Sequence, residues 1–322
     1  MNTPQRVLEL LYDRGEGCFS LDELAAAAGI GLPRLATAMT DLGRRQKLEL
    51  SPAGVRLIRP AALDAHLIER GLNTRRVGLS VICFDEVAST NDVAFDSARQ
   101  ANADGLVVLA ESQRSGRGRL GRRWISPSGA NILLSVLLVG GSDELPHEAV
   151  TIAAGLAAAE GVAESCNLEA RLKWPNDVLV DGAKLAGVLV EVRKVAGRRT
   201  TVIGIGLNAN ASPPAEQVDR PVTSLAAHLG HPVERVEVVQ AVLRRLDEWT
   251  TRIAGGGLEE LHAAWLSRCG MINDRVAVMS AGRRYVGRVL DVSPLEGLVL
   301  AVDSGQHVHI PAEGATVVTG DA

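Results

Sequence analysis

Cysteine is scarce and scattered. Cys18, Cys83, Cys166 and Cys269 are the four in 322 residues, and no C-x-x-C pair occurs. That argues against a disulfide framework or a cysteine zinc site, and makes a reducing cytoplasm the expected compartment. The seven histidines form no H-E-x-x-H. His228 with His231, and His307 with His309, read as surface pairs rather than metal ligands. A basic excess is also lacking: Lys and Arg number 34 against 38 Asp and Glu, net −4, so the whole chain is no general polyanion binder. Met1-Asn2-Thr3-Pro4 opens no signal peptide and no apolar run reads as a membrane span, so no membrane partner is expected. The chain is 46% hydrophobic, enough to bury a sizeable core spread over two or three domains.

The most informative absence is local. Residues 112 to 142 contain no acidic side chain, yet arginines 114, 117, 119, 122 and 123 crowd around Gly116, Gly118 and Gly121 and end at Trp124. Glycines let a backbone approach a ligand, and guanidinium forks match phosphate or carboxylate oxygens two at a time. Trp124 offers an indole face for a purine. The segment also fits G-x-G-x-x-G after an apolar strand, Leu106 to Ala110. A dinucleotide site would need a helix immediately after it. Instead Pro127 and Gly129 break the chain and a second strand follows from Asn131 to Val139. Strand, basic glycine loop, strand is not a Rossmann unit.

Periodicity divides the chain into modules. Residues 1–62 read as helices 4–14 and 21–28, a third helix entered at Pro33, and two short strands around Ser51-Pro52-Ala53-Gly54. That is a winged helix-turn-helix layout. Residues 63–78 read as a linker. The block 79–270 predicts strands at 79–84, 106–111, 131–139, 171–173, 178–181, 185–194 and 200–208, and helices at 90–102, 147–166, 222–230, 235–254 and 257–269. Residues 209–221 read as a mobile loop. The expected class is α+β with a mixed sheet. Residues 271–322 hold five short strands separated by turns, a small β-barrel of SH3-like size.

Several constellations are compatible with chemistry, each with an ordinary alternative. Ser89-Thr90-Asn91-Asp92 steps from a strand into a helix and is either an N-cap or a donor array for a ligand. Gln113 donates and accepts, which suits an amide or urea. Lys173-Trp174-Pro175-Asn176-Asp177 must turn. Lys184, among the small residues Ala183, Ala186 and Gly187, is either a surface lysine or a cation facing a pocket. Asn208, closing Gly204-Ile205-Gly206-Leu207, could read an adenine edge.

Taken together and in order, these motifs resemble the biotin–protein ligases from residue 79 to about 320, and the N-terminal module resembles that of the bifunctional type, both ligase and biotin operon repressor. The resemblance implies a class II aminoacyl-tRNA synthetase-like central domain. It implies attack of the biotin carboxylate on ATP to give biotinyl-5′-AMP, then transfer to a lysine of a biotin carrier domain, with the acetyl-CoA carboxylase carrier subunit as the family's acceptor. By resemblance, biotin lies against Ser89, Thr90, Asn91, Gln113, Arg117, Gly118, Arg119 and Lys184. Nucleotide and adenylate lie near Gly116, Arg122, Trp124, Lys173, Asn176 and Asn208. Joining two anions needs preorganised positive charge, which Arg117, Arg119, Arg122 and Lys184 supply, with Mg²⁺ on the phosphates. Asp177 either helps deprotonate the acceptor lysine or binds the metal. A homodimer is a further family expectation. A lipoate-type ligase and a non-catalytic biotin sensor are the rival readings, opposed respectively by Gln113 with the arginine loop and by the intact cations.

DNA contact is less well supported by charge. Residues 1 to 60 carry eight basic and seven acidic side chains, whereas DNA-binding modules usually hold a clear excess. Ala36 and Ala38 cannot bond base edges. Arg34, Thr37, Arg44 and Arg45 remain as the contacts to expect.

Overall fold

The computed structural model describes residues 2–140, 145–218 and 220–318; Met1 of the module 1–62 and residues 319–322 of the module 271–322 lie outside it. Helix α1 (Thr3–Asp13) opens with a capping box, in which Asn2 accepts from the Gln5 amide and Gln5 reaches back to the Asn2 amide. Helix α2 (Leu21–Ala28) repeats the device with Ser20 and Glu23, and ends on Gly29 at φ +69°. Helix α3 (Leu32–Leu42) carries Pro33 in its first turn. Strands β1 (Leu48–Ser51) and β2 (Gly54–Leu57) form an antiparallel hairpin. Val7, Leu8, Leu24, Leu35 and Val55 are almost fully buried where these elements meet.

The central sheet has seven strands: β3 (Ser80–Val87), β4 (Leu106–Gln113), β5 (Ile132–Val139), β6 (Arg171–Lys173), β7 (Asp177–Val180), β8 (Ala183–Val195) and β9 (Arg198–Leu207). Their spatial order is β3-β4-β5-β9-β8-β7-β6. Only β3 and β4 run parallel, and helix α5 (Thr90–Ser97) crosses between them. The next pair, β4 and β5, is antiparallel and joined by the arginine loop, as a non-Rossmann connection requires. Helix α5 stops five residues short of the expected 102. Residues 98–102 turn instead, which brings Ala103 and Leu106 into the core.

Helix α6 (His147–Cys166) has the length and apolarity of a membrane span, which the reading of apolar runs did not credit. It is a core helix: Ala149 to Ala159 are all buried, under α8 (Arg235–Ala254) and the sheet. Helix α7 (Leu225–Leu229) starts later than expected because residues 221–223 run extended beside β8. There the Lys184 amide donates to Pro221 O and the Thr223 amide to Lys184 O, both at 2.9 Å. Helix α9 (Leu258–Arg268) completes the layer. Strands β10 (Arg275–Ser280), β11 (Arg283–Ser293), β12 (Gly297–Val302), β13 (His307–Ile310) and β14 (Thr316–Val318) make an antiparallel sheet in the order β13-β12-β11-β10-β14.

Residues 63–78 are packed rather than loose. Their helix α4 (Ala65–Glu69) buries Leu67 and Ile68 completely. Gln240 of α8 donates to the carbonyls of both. Asp247, buried on α8, accepts from the amides of Arg75, Arg76 and Val77 at 2.8, 2.9 and 2.8 Å. A buried carboxylate with three backbone donors is fully solvated by protein, so the segment is held in one path.

Candidate active site

The carboxyl end of β4, the arginine loop, β7, β8, β9 and the last strand β14 enclose a cleft of about 670 Å³. Apart from Gly116, every residue expected at the biotin or nucleotide position lines it, and so do the expected catalytic residues. Gly116 serves the loop instead: its carbonyl accepts from the Trp124 amide at 3.0 Å, and a Cβ on it would sit 2.6 Å from Trp124 O.

The innermost wall is neutral and dense in hydrogen bonds. Gln113 Oε1 accepts from the Thr90 amide at 2.7 Å and from its hydroxyl at 3.1 Å. The Ser135 hydroxyl lies 2.7 Å from that of Thr90 and 2.6 Å from Asn91 Oδ1. Asn91 Nδ2 donates to Glu191 at 2.7 Å, and Asn91 rests on Gly204, where a Cβ would meet Oδ1 at 2.5 Å. Ser89 caps α5 by position only, for its side chain makes no capping bond. Sequence reasoning passed over Ser135, although one polar residue inside the apolar run Ile132–Val139 was its signal.

Arg117 is not a loose clamp. It forms a two-pronged pair with Asp92 at 2.7 and 2.8 Å and reaches Glu191 at 3.2 Å. The lack of acid within the loop is thus compensated from α5 and β8. The Asp92 bonds raise the Arg117 pKa above its ordinary value. Burial works to raise that of Glu191, but bonds from Asn91, Arg193 and Arg117 carry it below the usual carboxylate range. The loop closes as a small hairpin, Gly118 to Arg122, with Leu120 at φ +55°.

The second wall is cationic. A one-residue bulge in β8 opposite Val178 and Leu179 puts Lys184 on the face of Asp177 and Gly187. Lys184 Nζ is 2.5 Å from one Asp177 oxygen, and Arg220 Nη1 is 2.9 Å from the other. Asp177 is 7% exposed, so its charge is met by two cations at once. Arg220 lies in the 209–221 segment, which the sequence marked only as a loop. Arg119 turns away from this pair. It donates to the carbonyls of Ala312 and Ala315 in the C-terminal module and, at 3.4 Å, to Asn176, and burial lowers its pKa.

Trp124 supplies the flat surface. Gly187 and Gly206 are cross-strand partners, and the indole lies over both. A Cβ on Gly206 would come within 2.3 Å of Trp124 Cε2, and one on Gly187 within 3.1 Å of Cζ3. The ring therefore needs both glycines. Trp124 Nε1 and Asn208 Oδ1 are buried without partners, while Asn208 Nδ2 donates to Thr223 O at 3.0 Å. Unpartnered buried polar atoms beside a cleft are places where a ligand completes the bonding. Arg122 and Lys173 add charge to the rim.

A mixed-sheet α+β protein with a urea-like floor, a cationic wall and an aromatic shelf is built to hold an anionic small molecule beside a ring system. The Biotin/lipoate A/B protein ligase family profile matches residues 83–210. The biotin–[acetyl-CoA-carboxylase] ligase of Mycobacterium tuberculosis is 34% identical over 266 residues, covering 76% of this chain and 96% of that protein. The bifunctional ligase/repressor BirA of Bacillus subtilis is 28% identical across 93% of this chain and 94% of its own length. Among solved structures, the Aquifex aeolicus biotin protein ligase in complex with biotin and ATP superposes with TM-score 0.66 and 26% identity, over 74% of this chain and 98% of that one. The chain belongs to the biotin/lipoate protein ligase family, on the side of the biotin protein ligases.

Proposed function

We propose that this protein is an ATP-dependent biotin–protein ligase that forms biotinyl-5′-AMP and passes the biotinyl group to a lysine of the acetyl-CoA carboxylase carrier subunit. The observation that carries the reading is the sequence of environments along one cleft. Thr90, Asn91 and Gln113, the first two braced from behind by Ser135, offer neutral donors and acceptors to a ureido head. Lys184 and Arg220 stand where a carboxylate and an α-phosphate would crowd, and Trp124 with Asn208 completes a purine site. In the first step a carboxylate oxygen bonds to the α-phosphorus as the bond to the bridging oxygen breaks, releasing pyrophosphate. In the second, the carrier amine attacks the acyl carbon, AMP departs and the amine proton is lost.

Charge is the chain's main contribution to that chemistry. Lys184 and Arg220 are already oriented by Asp177, so no reorganisation is needed as the phosphorane charge develops. With two cations on it, Asp177 acts here as a positioning group and not as the base. Mg²⁺, which would neutralise phosphate charge, fits as an ion carried in on ATP. Among the described residues Asp177 is the single carboxylate lining the cleft, and no cluster of three or more potential ligands occurs. A reducing cytoplasm suits the four free thiols. The test is transfer of labelled biotin from ATP and Mg²⁺ to a carrier domain, with pyrophosphate counted. Biotin binding without pyrophosphate release would make the protein a sensor, and a preference for lipoate would move it to the other branch.

The finer architecture belongs to the same proposal. Residues 1–62 form a winged helix-turn-helix and the terminal five strands an SH3-like fold, a reading supported by the order of three helices and a hairpin and by the five-stranded antiparallel sheet. α3 exposes Arg34 and Thr37, with Arg44 and Arg45 just beyond its end. Thr37 bonds its own helix at Pro33 O, and Arg44 lies 3.6 Å from Asp41, so Arg34 and Arg45 carry most of the DNA reading. Retention of operator DNA in a gel, strengthened by biotin with ATP, is the expected result. Its absence at low salt would leave the ligase alone.

A further inference from the structure

We propose that Asn131 yokes the two loops that wall the cleft, so that neither moves without the other. Asn131 is 1% exposed and does not line the cleft. Its Nδ2 donates to Ser126 Oγ at 3.1 Å, at the end of the arginine loop that carries Arg117, Arg119 and Trp124. Its Oδ1 accepts from the amides of Asn210 and Ala211, each at 3.2 Å, at the start of the 209–221 loop that carries Gln217 and Arg220. The Asn210 amide is also 3.1 Å from Ala130 O. One side-chain amide thus spends both acceptor sites on one loop and a donor on the other, an arrangement no other polar pair of that size could copy.

The yoke rests on a fixed point. Asn131 O accepts from Arg235 Nη1 at 3.1 Å. Arg235 is 2% exposed and pairs with Glu111 at 2.5 Å. The same Arg235 donates to Ala61 O at 3.4 Å, and Glu111 accepts from the Leu63 amide at 2.8 Å. The cleft loops and the path out of the N-terminal module therefore share one buried ion pair. Charge-assisted bonds of this kind are the stiff ones, so strain at either loop passes to the other before it is lost in the support. For catalysis this means that the wall bearing Arg119 and Trp124 and the wall bearing Arg220 close together. That consequence rests on the ligase reading; the mechanical link does not.

The test is hydrogen exchange on the full ligand-free chain. Ser126→Ala removes the Asn131 bond to the arginine loop and that loop's own Ser126 bond to Pro127 O, and leaves both Asn131 acceptor bonds in place, yet the amides of residues 209–212 should exchange roughly fivefold faster, the size a lost neutral hydrogen bond allows. Ser126→Thr, which keeps the hydroxyl that Asn131 Nδ2 rests on, should exchange at the wild-type rate. In turnover, Ser126→Ala should raise KM for ATP with little change in kcat. Wild-type exchange at 209–212 in Ser126→Ala overturns the yoke. Failure of the ligase reading looks different: biotin then protects neither loop of the wild-type protein, while the ligand-free comparison still decides the link.

Discussion

Lys184→Ala is expected to reduce biotin-dependent pyrophosphate release by two to three orders of magnitude, the range seen when one preorganised charge-stabilising group is removed. The loss is electrostatic. Lys184 is the cation closest to both Asp177 and the indole, 2.5 Å from the carboxylate and 5.4 Å from the ring centre. Without it, Asp177 keeps Arg220 as its partner, so the fold survives the change. The same carboxylate then faces the biotin carboxylate with one cation fewer, and two anions must meet in a site biased against them. Binding of the ureido end should fall much less, because Thr90, Gln113 and Ser135 are untouched. Pyrophosphate exchange alongside biotin binding separates the two effects. Wild-type exchange in Lys184→Ala would remove Lys184 from the mechanism.

The local rules that were legible in the sequence are the ones that act within a few residues. Helical spacing of the apolar residues, the apolar runs of the strands and the glycines at Gly204 and Gly206 speak through near neighbours, and the elements they announce are present. The residues that line the cleft were legible for a related reason: a cation or a tryptophan among glycines has little to do in a core. What stayed hidden depends on partners far away in the chain. Arg117 read as a ligand clamp because Asp92 and Glu191, 25 and 74 residues distant, do not announce themselves as its partners. Asp247 and Arg235 looked like ordinary polar positions of a helix, yet they hold residues 61 to 77 more than 150 positions away. The helix expected at 222–230 lost its first turn to pairing with β8, a tertiary contact that outweighs propensity. Arg220 was missed because a loop has no periodicity to point a side chain.

The same distinction bears on Arg119, whose neighbours in sequence gave its chemistry but not its direction. Arg119→Gly is expected to raise the ratio of free biotinyl-AMP released to biotin transferred by about tenfold or more, the effect of one or two charge-assisted hydrogen bonds. The guanidinium ties the arginine loop to Ala312 and Ala315, and Ala315 to Val318 form the third wall of the cleft. Removing it unties that wall, and a glycine beside Leu120 at φ +55° adds backbone freedom where the loop is already under strain. A mixed anhydride enclosed by all three walls is shielded from water, and one left open on the C-terminal side escapes and hydrolyses. Biotin affinity should change less than retention, since the polar floor keeps all its bonds. Arg119→Lys should fall between, because an ammonium can reach one carbonyl but cannot span two. The measurement is adenylate in the filtrate of a single-turnover reaction without carrier. If Arg119→Gly retains adenylate as wild type does, the C-terminal wall is held by something other than this arginine.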